Sequence, residues 1–299
     1  MEDHEKKNWY DKSYKWLILI PGILFLISVV YLFNFNNQNG DIIYKDVSIT
    51  GGTTITVFDS DTDIVELETA LKSGINDVRI RKLSEFGTGK QKGFFVESNS
   101  AVENLRGELE NYLGYELNQE NSSIEFSGAS LSEGFYKQLR FSVILAFLFM
   151  AVVVFIIFRS FIPSFAVILS AFADIVMTIA VVDFFGVRLS IAGVIAFLML
   201  IGYSVDTDIL LTSRVLKRRD GNVNGRIFES FKTGITMTLT SIAALLVSLY
   251  IIYGVSDVLS QIFSILLIGL GFDIMNTWFA NASILKWYVE SKERRGDIK

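Results

Sequence analysis

Six apolar runs divide the chain, at residues 16–33, 138–158, 164–182, 189–212, 234–253 and 259–288. Each approaches or exceeds the twenty or so residues that carry a helix across a hydrocarbon core. The last run is longer than a bilayer needs, so it tilts or protrudes. Pro21 falls in the first turns of its run, where neighbouring helices tolerate a missing donor. Pro163 suits a first helical turn. Residues 1–15, 213–233 and 289–299 are polar flanks rich in Lys and Arg. Residues 34–137 are different in kind, a polar stretch in which acids outnumber bases, and read as one water-exposed domain.

Within that domain Ile43–Ile49 predicts a strand, with Thr50-Gly51-Gly52-Thr53 as a tight turn and Thr54–Phe58 as the returning strand. A helix follows over Asp63–Lys72, capped by Asp61 or Thr62, with Ile64, Leu67 and Leu71 on one face and Gly74 past its end. Val78–Leu83, Gly93–Glu97 and Ile124–Phe126 predict further strands. A second helix displays Val102, Leu105, Leu109 and Leu113 on one face, with Ser100 and Glu103 as a capping box. After the first strand, the order is strand–helix–strand–strand–helix–strand, the pattern of a ferredoxin-like plait. The fold class expected is an α-helical polytopic membrane protein of six transmembrane helices with an inserted α+β ferredoxin-like extracytoplasmic domain.

Orientation follows the basic residues. Arg159, the set Arg214, Lys217, Arg218, Arg219, Arg226 and Lys232, the tail Lys292, Arg294 and Arg295, and the N-terminal lysines 6, 7, 12 and 15 all fall on one side. Both termini are therefore expected in the cytoplasm and the polar domain outside. Half of the residues are hydrophobic (51 %) and only 20 % are charged, too apolar a balance for an ordinary soluble domain. The chain has no Cys, which excludes disulfides and thiolate chemistry, and its one His, His4, lies in the polar N-terminus. No nucleotide-binding loop is present, and no cofactor, metal site or catalytic group is expected. The run Lys217-Arg218-Arg219 reads as topology signal and lipid contact rather than a nucleic-acid site. Residues 16–33 lack a small-residue cleavage site, so no cleavable signal peptide is expected.

The chemistry sits inside the apolar runs. Asp174 and Asp273 fall about midway along the third and sixth, and Asp206 and Asp208 in the basic-side half of the fourth. An ionised Asp near a bilayer centre costs roughly 2.5–3.5 kcal/mol on insertion scales. A chain that retains four has a use for them or partners that neutralise them. Positions two apart on a helix point some 200° from each other, so Asp206 and Asp208 cannot share a face. Lys232 sits just before the fifth run, whose start is rich in the hydroxyls of Thr233, Thr236, Thr238, Thr240 and Ser241. A buried Asp that alternates between neutral and charged suits proton uptake and release. The competing interpretation is interhelical glue, since polar side chains bond across packed helices. Asn276 and Asn281 read as such hydrogen-bonders, and Gly193, Gly202, Gly269 and Gly271 as close-packing positions.

Several of these segments resemble the SecF family, the smaller partner in SecD–SecF protein export, in its archaeal form. Residues 48–53, SITGGT, are similar to the family's DFTGGT, with Ser48 in place of Asp and Gly51, Gly52 and Thr53 as the turn signature. Ala173-Asp174-Ile175 is similar to HDV without its His, and residues 202–208, GYSVDTD, to GYSxNDT. In the last match the family Asp falls on Thr207, between Asp206 and Asp208, and the following DR becomes Ser213-Arg214. The resemblance covers nearly the whole chain. It implies an accessory subunit rather than an enzyme, working with SecD, the Sec channel, an unfolded exported polypeptide and membrane lipid, and coupling proton flow to movement of the outer domain. Asp174, Asp206, Asp208, Asp273 and Lys232 are the proton-coupling candidates. A passive assembly scaffold and a half-sized small-molecule exporter are the alternatives.

Overall fold

The computed structural model describes residues 9–75, 77–85, 88–217, 222–253 and 255–295. His4, Lys6, Lys7, Arg218 and Arg219, which enter the expectations above, lie outside the described residues. Among the described residues, six helical segments are long and apolar enough to cross a membrane. A short helix α1 (Trp9–Leu17) leads into α2 (Leu19–Asn39). After the polar domain come α6 (Ala129–Phe158), α7 (Phe161–Phe184), α8 (Ile191–Lys217), α9 (Val223–Ile252) and α10 (Asp257–Met275). The last runs through a π-helical turn (Asn276–Asn281) into α11 (Ala282–Arg295).

α7 and α8 form the centre of the bundle, each with more than half of its most apolar stretch buried, whereas α2, α6 and α9 lie at its periphery. Small residues make that centre possible. Ala166, Ser170, Ala171, Ala173 and Ala180 line the buried side of α7, and Gly193 and Ala196 that of α8. In lipid the chain gains little from burying apolar side chains, so close backbone approach and interhelical bonds drive association. Gly269 and Gly234 mark tight crossings: a Cβ would stand 2.4 Å from Leu200 Cδ2 at the first and 2.4 Å from Trp278 Cζ2 at the second. α2 lies against α7 through edge-to-face rings, Phe25 on Phe172 and Tyr31 on Phe184.

The polar domain holds one four-stranded antiparallel sheet in the order β2-β3-β1-β4. Its strands are β1 (Gly52–Val57), β2 (Arg79–Ser84), β3 (Gln91–Ser98) and β4 (Ser122–Ser127). Ile55 sits across from Val96 on one side and Ile124 on the other. Helices α4 (Ile64–Gly74) and α5 (Val102–Leu113) bury Leu67, Leu71, Leu105 and Leu109 against Ile55, Val57, Ile80, Phe94 and Val96. Asp63 rather than Asp61 or Thr62 caps α4, accepting from the amides of Val65 and Glu66. Gly74 is the last residue of that helix rather than the one after it. No side chain caps α5: Ser100 is drawn into the β1 edge, where its carbonyl accepts from Thr53 Oγ1 at 2.7 Å.

The predicted strand Ile43–Ile49 does not form. Asp46 caps a short helix α3 (Val47–Thr50) instead, accepting from the Ser48 amide. The preceding residues spend their backbone bonds on the membrane-spanning part. The Asp46 amide donates to the Leu189 carbonyl at 3.0 Å and the Leu189 amide to the Tyr44 carbonyl at 2.6 Å. Ile43 and Ile49 are buried against Val182, Leu189 and Val194, so the alternating apolar pattern reflects contact with helix ends, not a sheet face. Two ion pairs add to this joint, Arg188 with Asp77 and Arg81 with Asp257 at 3.3 Å.

Candidate functional site: a buried carboxylate layer

Asp174 on α7, Asp208 on α8 and Asp273 on α10 meet in the bundle interior, each at most 1 % exposed. Ser204 Oγ donates to Asp174 Oδ2 at 2.5 Å and Asn276 Nδ2 to Asp174 Oδ1 at 2.6 Å. Asp208 Oδ1 accepts from Asn281 Nδ2 at 2.7 Å and Thr277 Oγ1 at 2.9 Å. Thr207 Oγ1 stands 3.1 Å from both oxygens of Asp273, and Thr277 Oγ1 3.2 Å from Asp273 Oδ1. Three helices are thus joined by one hydrogen-bonded layer whose donors are all neutral.

The π turn makes the layer possible. A π turn inserts an extra residue into the helical repeat and recurs at functional sites. Here it presents Asn276, Thr277 and Asn281 to the same interior as Asp273, and all three are buried. On α8, Ser204, Thr207 and Asp208 occupy one face by their three- and four-residue spacing.

Hydrogen counting shows what the layer can do chemically. A hydroxyl has one proton to donate. Thr207 Oγ1 lies 2.9 Å from the Ser204 carbonyl, closer than to Asp273, and Thr277 Oγ1 lies closer to Asp208 than to Asp273. When both hydroxyls take their shorter contact, Asp273 faces two oxygens and no donor. A proton on Asp273 completes one of these contacts. An ionised Asp273 requires at least one hydroxyl to turn toward it. The orientation of Thr207 and Thr277 therefore tracks the charge on Asp273.

The layer gathers three of the five residues singled out from sequence and leaves two outside. Asp206 points to the exposed side of α8, as the 200° offset from Asp208 requires. Lys232 is exposed on α9, with its ammonium 4.8 Å from the Phe228 ring centre. Ser204 and Thr277 were not singled out, because hydroxyls are common in membrane helices, and Thr207 entered only as the position on which the family's Asp falls. Lys286, an ionisable residue within an apolar run and so legible by the same rule as the acids, was also missed. It is fully buried, 2.5 Å from Asn224 Oδ1 and 3.8 Å from Glu290 Oε1, toward the basic face.

The turn signature lies away from the layer. Gly51 and Gly52 adopt φ of +83° and +146°, conformations that side chains disfavour. A Cβ on Gly51 would sit 2.4 Å from Ala129 Cα, and one on Gly52 2.4 Å from the Ser98 carbonyl oxygen. With Thr53 they form the joint at which the sheet meets the start of α6.

Residues 110–291 match the family described as protein export membrane protein SecD/SecF, C-terminal. The chain belongs to the SecD/SecF family. It is similar to the protein-export membrane protein SecF of Methanocaldococcus jannaschii, 38 % identical over 93 % of this chain and 96 % of that one. The SecF of Methanothermobacter thermautotrophicus is 40 % identical over 93 % and 94 %. Among solved structures, SecDF from Thermus thermophilus, a translocon-associated membrane protein, superposes with a TM-score of 0.74 at 17 % identity. That match covers 97 % of this chain but only 40 % of the SecDF chain, so this member of the family corresponds in fold to a part of a longer protein.

Proposed function

We propose that the chain is an accessory subunit of the Sec translocase. It acts beside SecD and the Sec channel to promote passage of unfolded polypeptide across the cytoplasmic membrane, and ion movement through the carboxylate layer drives it. The observation that carries this reading is the layer itself: three carboxylates from three helices, fully buried, with neutral donors only. Each such group costs roughly 2.5–3.5 kcal/mol when charged at bilayer depth. A layer whose hydroxyls must turn when Asp273 gains or loses a proton ties charge to helix packing, which is what biasing two conformations requires.

Partnership with SecD is supported by the exposed polar groups left on the bundle surface. Asp206 on α8 and Lys232 on α9 are exposed on helices apolar enough to cross a membrane, a placement that fits burial of Asp206 against another membrane protein better than contact with lipid. Family membership and the correspondence to part of SecDF support the export role. The basic flanks support cytoplasmic termini. The strand order β2-β3-β1-β4 with two helices on one face supports a ferredoxin-like plait for the outer domain. A passive scaffold is the competing reading, favoured by Asp174, whose two oxygens are both already bonded. Export of a reporter into sealed vesicles, with and without an ion gradient, separates them. Single Asn variants of Asp174, Asp208 and Asp273 lose the gradient-dependent part under the first reading and retain it under the second.

A further inference from the structure

Among the described residues two buried polar atoms without a hydrogen bond lie at the outer ends of the spans, Asp183 Oδ2 and Ser260 Oγ, and seven lie at the acid layer or on its basic side. Ser164 Oγ, Ser170 Oγ, Asp208 Oδ2, Thr212 Oγ1, Asn281 Oδ1 and Ser283 Oγ are six of them, with Trp278 Nε1 the seventh. α7 runs away from the basic face, so Ser164 and Ser170 precede Asp174 on the basic side. α8 and α11 run toward that face, so Thr212, Asn281 and Ser283 also follow the acids on the basic side. A buried polar group without a partner costs about 1–3 kcal/mol, and such groups in native proteins are satisfied by protein or by ordered water. Elsewhere in the spans, helix hydroxyls close onto the carbonyl four residues back. Thr178, Ser230, Thr236, Thr238 and Thr240 all do so. Ser164, Ser170, Thr212 and Ser283 do not, which leaves their oxygens directed between the helices.

Three of these atoms gather around a fourth, Asp208 Oδ2. Ser170 stands beside Asp208 without completing a bond of good geometry. Thr212 lies one turn further along the same face of α8, within reach of its neighbour. Asn281 uses its amide nitrogen on Asp208 Oδ1 and leaves its oxygen unspent. A buried water needs two to four polar partners, and this set supplies them. Directly beyond the layer on the opposite side the packing is mostly apolar, and the buried hydroxyl there, Thr178, is closed onto the Asp174 carbonyl. Met177, Ala196, Phe197, Leu200, Ile265, Leu266 and Leu270 are buried there, and Leu200 is wedged against Gly269.

We propose that a chain of buried water joins Asp208 to the basic face past Ser170, Thr212 and Asn281, while the layer of Phe197, Leu200, Ile265 and Leu266 closes the other side. The structure is thus the state in which the acids exchange protons with the basic-face compartment alone. Only the name of that compartment, the cytoplasm, rests on the function proposed above.

The absence of native Cys makes the test direct. Ser170→Cys, Thr212→Cys and Asn281→Cys are made singly in the full chain, with Ala196→Cys and Leu200→Cys as apolar-side controls. Silver ions are added to everted or right-side-out membrane vesicles, and thiols left unreacted are alkylated after denaturation. Thiolate forms only where water reaches, so residues 170, 212 and 281 react about tenfold or more faster than 196 and 200, and only in everted vesicles. Reaction at all three as slow as at Leu200→Cys, or equal from both sides, overturns the proposal. Sidedness is read without any export assay, so failure of ion-coupled export leaves this result standing, and the reverse also holds.

Discussion

The hydrogen bond from Asn276 to Asp174 offers a quantitative entry to the carboxylate layer. Interhelical hydrogen bonds between neutral groups in membranes average about 0.6 kcal/mol, because the membrane-embedded unfolded state also finds partners. A charged acceptor raises the value of a hydrogen bond to about 1.5–3 kcal/mol. At 2.6 Å, between two residues each at most 1 % exposed, this contact is short and shielded from water. The cycle Asp174→Ala, Asn276→Ala and the double variant isolates the pair, since the lost volume is common to both arms. Unfolding of purified protein in mixed micelles by denaturing detergent gives the four free energies. With Asp174 ionised, the coupling is expected at about 1.5–2 kcal/mol, falling toward about 0.6 kcal/mol once acidification protonates it. A coupling of about 0.6 kcal/mol or less at every pH would refute the reasoning, because Asp174 would then never present a charge to its partner.

Three further outcomes follow from other parts of the molecule. Gly51→Ala forces a side chain onto a residue with φ of +83° and ψ of 157° and against Ala129 at 2.4 Å; about 1–3 kcal/mol for the backbone and about 1–3 kcal/mol for overpacking should loosen the joint to α6, read as faster limited proteolysis between the domain and α6. Burial raises the Glu97 carboxyl above its usual range, with Arg81 opposing part of that effect. Its contribution to the stability of the polar domain is therefore full below the ordinary carboxylate pKa and is lost as pH rises through the raised value. Glu97→Gln should flatten that descending segment, which denaturant midpoints across the acid range will show. Asp257→Asn removes the partner that Arg81 reaches at 3.3 Å across the membrane boundary, and exchange of β2 amides should quicken while the bundle amides are unchanged.

The apolar runs announce the six helices because lipid enforces their length and composition more strictly than water does. Asp174 and Asp273 are visible for the same reason, as ionisable residues where charge is expensive. The two-residue spacing of Asp206 and Asp208 shows that one of them must face away, but not which, since the choice depends on where α7 and α10 pack. The π turn leaves no local trace in Asn276–Asn281, and without it the roles of Thr277 and Asn281 are not readable. Ile43–Ile49 misleads because burial at alternate positions is supplied by the ends of α7 and α8 rather than by a sheet. The glycines of the turn signature do signal positive φ, yet the crowding by Ala129 and Ser98 that also demands them appears only in three dimensions.

The central claim is that charge on the buried acids drives the machine. Its most direct measurement is reporter export into sealed vesicles containing this chain with Asp208→Asn, compared with the unmodified chain, with and without an imposed ion gradient. The expected result is normal assembly, unchanged gradient-independent export and no gradient-dependent increment. An increment equal to that of the unmodified chain, repeated for Asp174→Asn and Asp273→Asn, would contradict it.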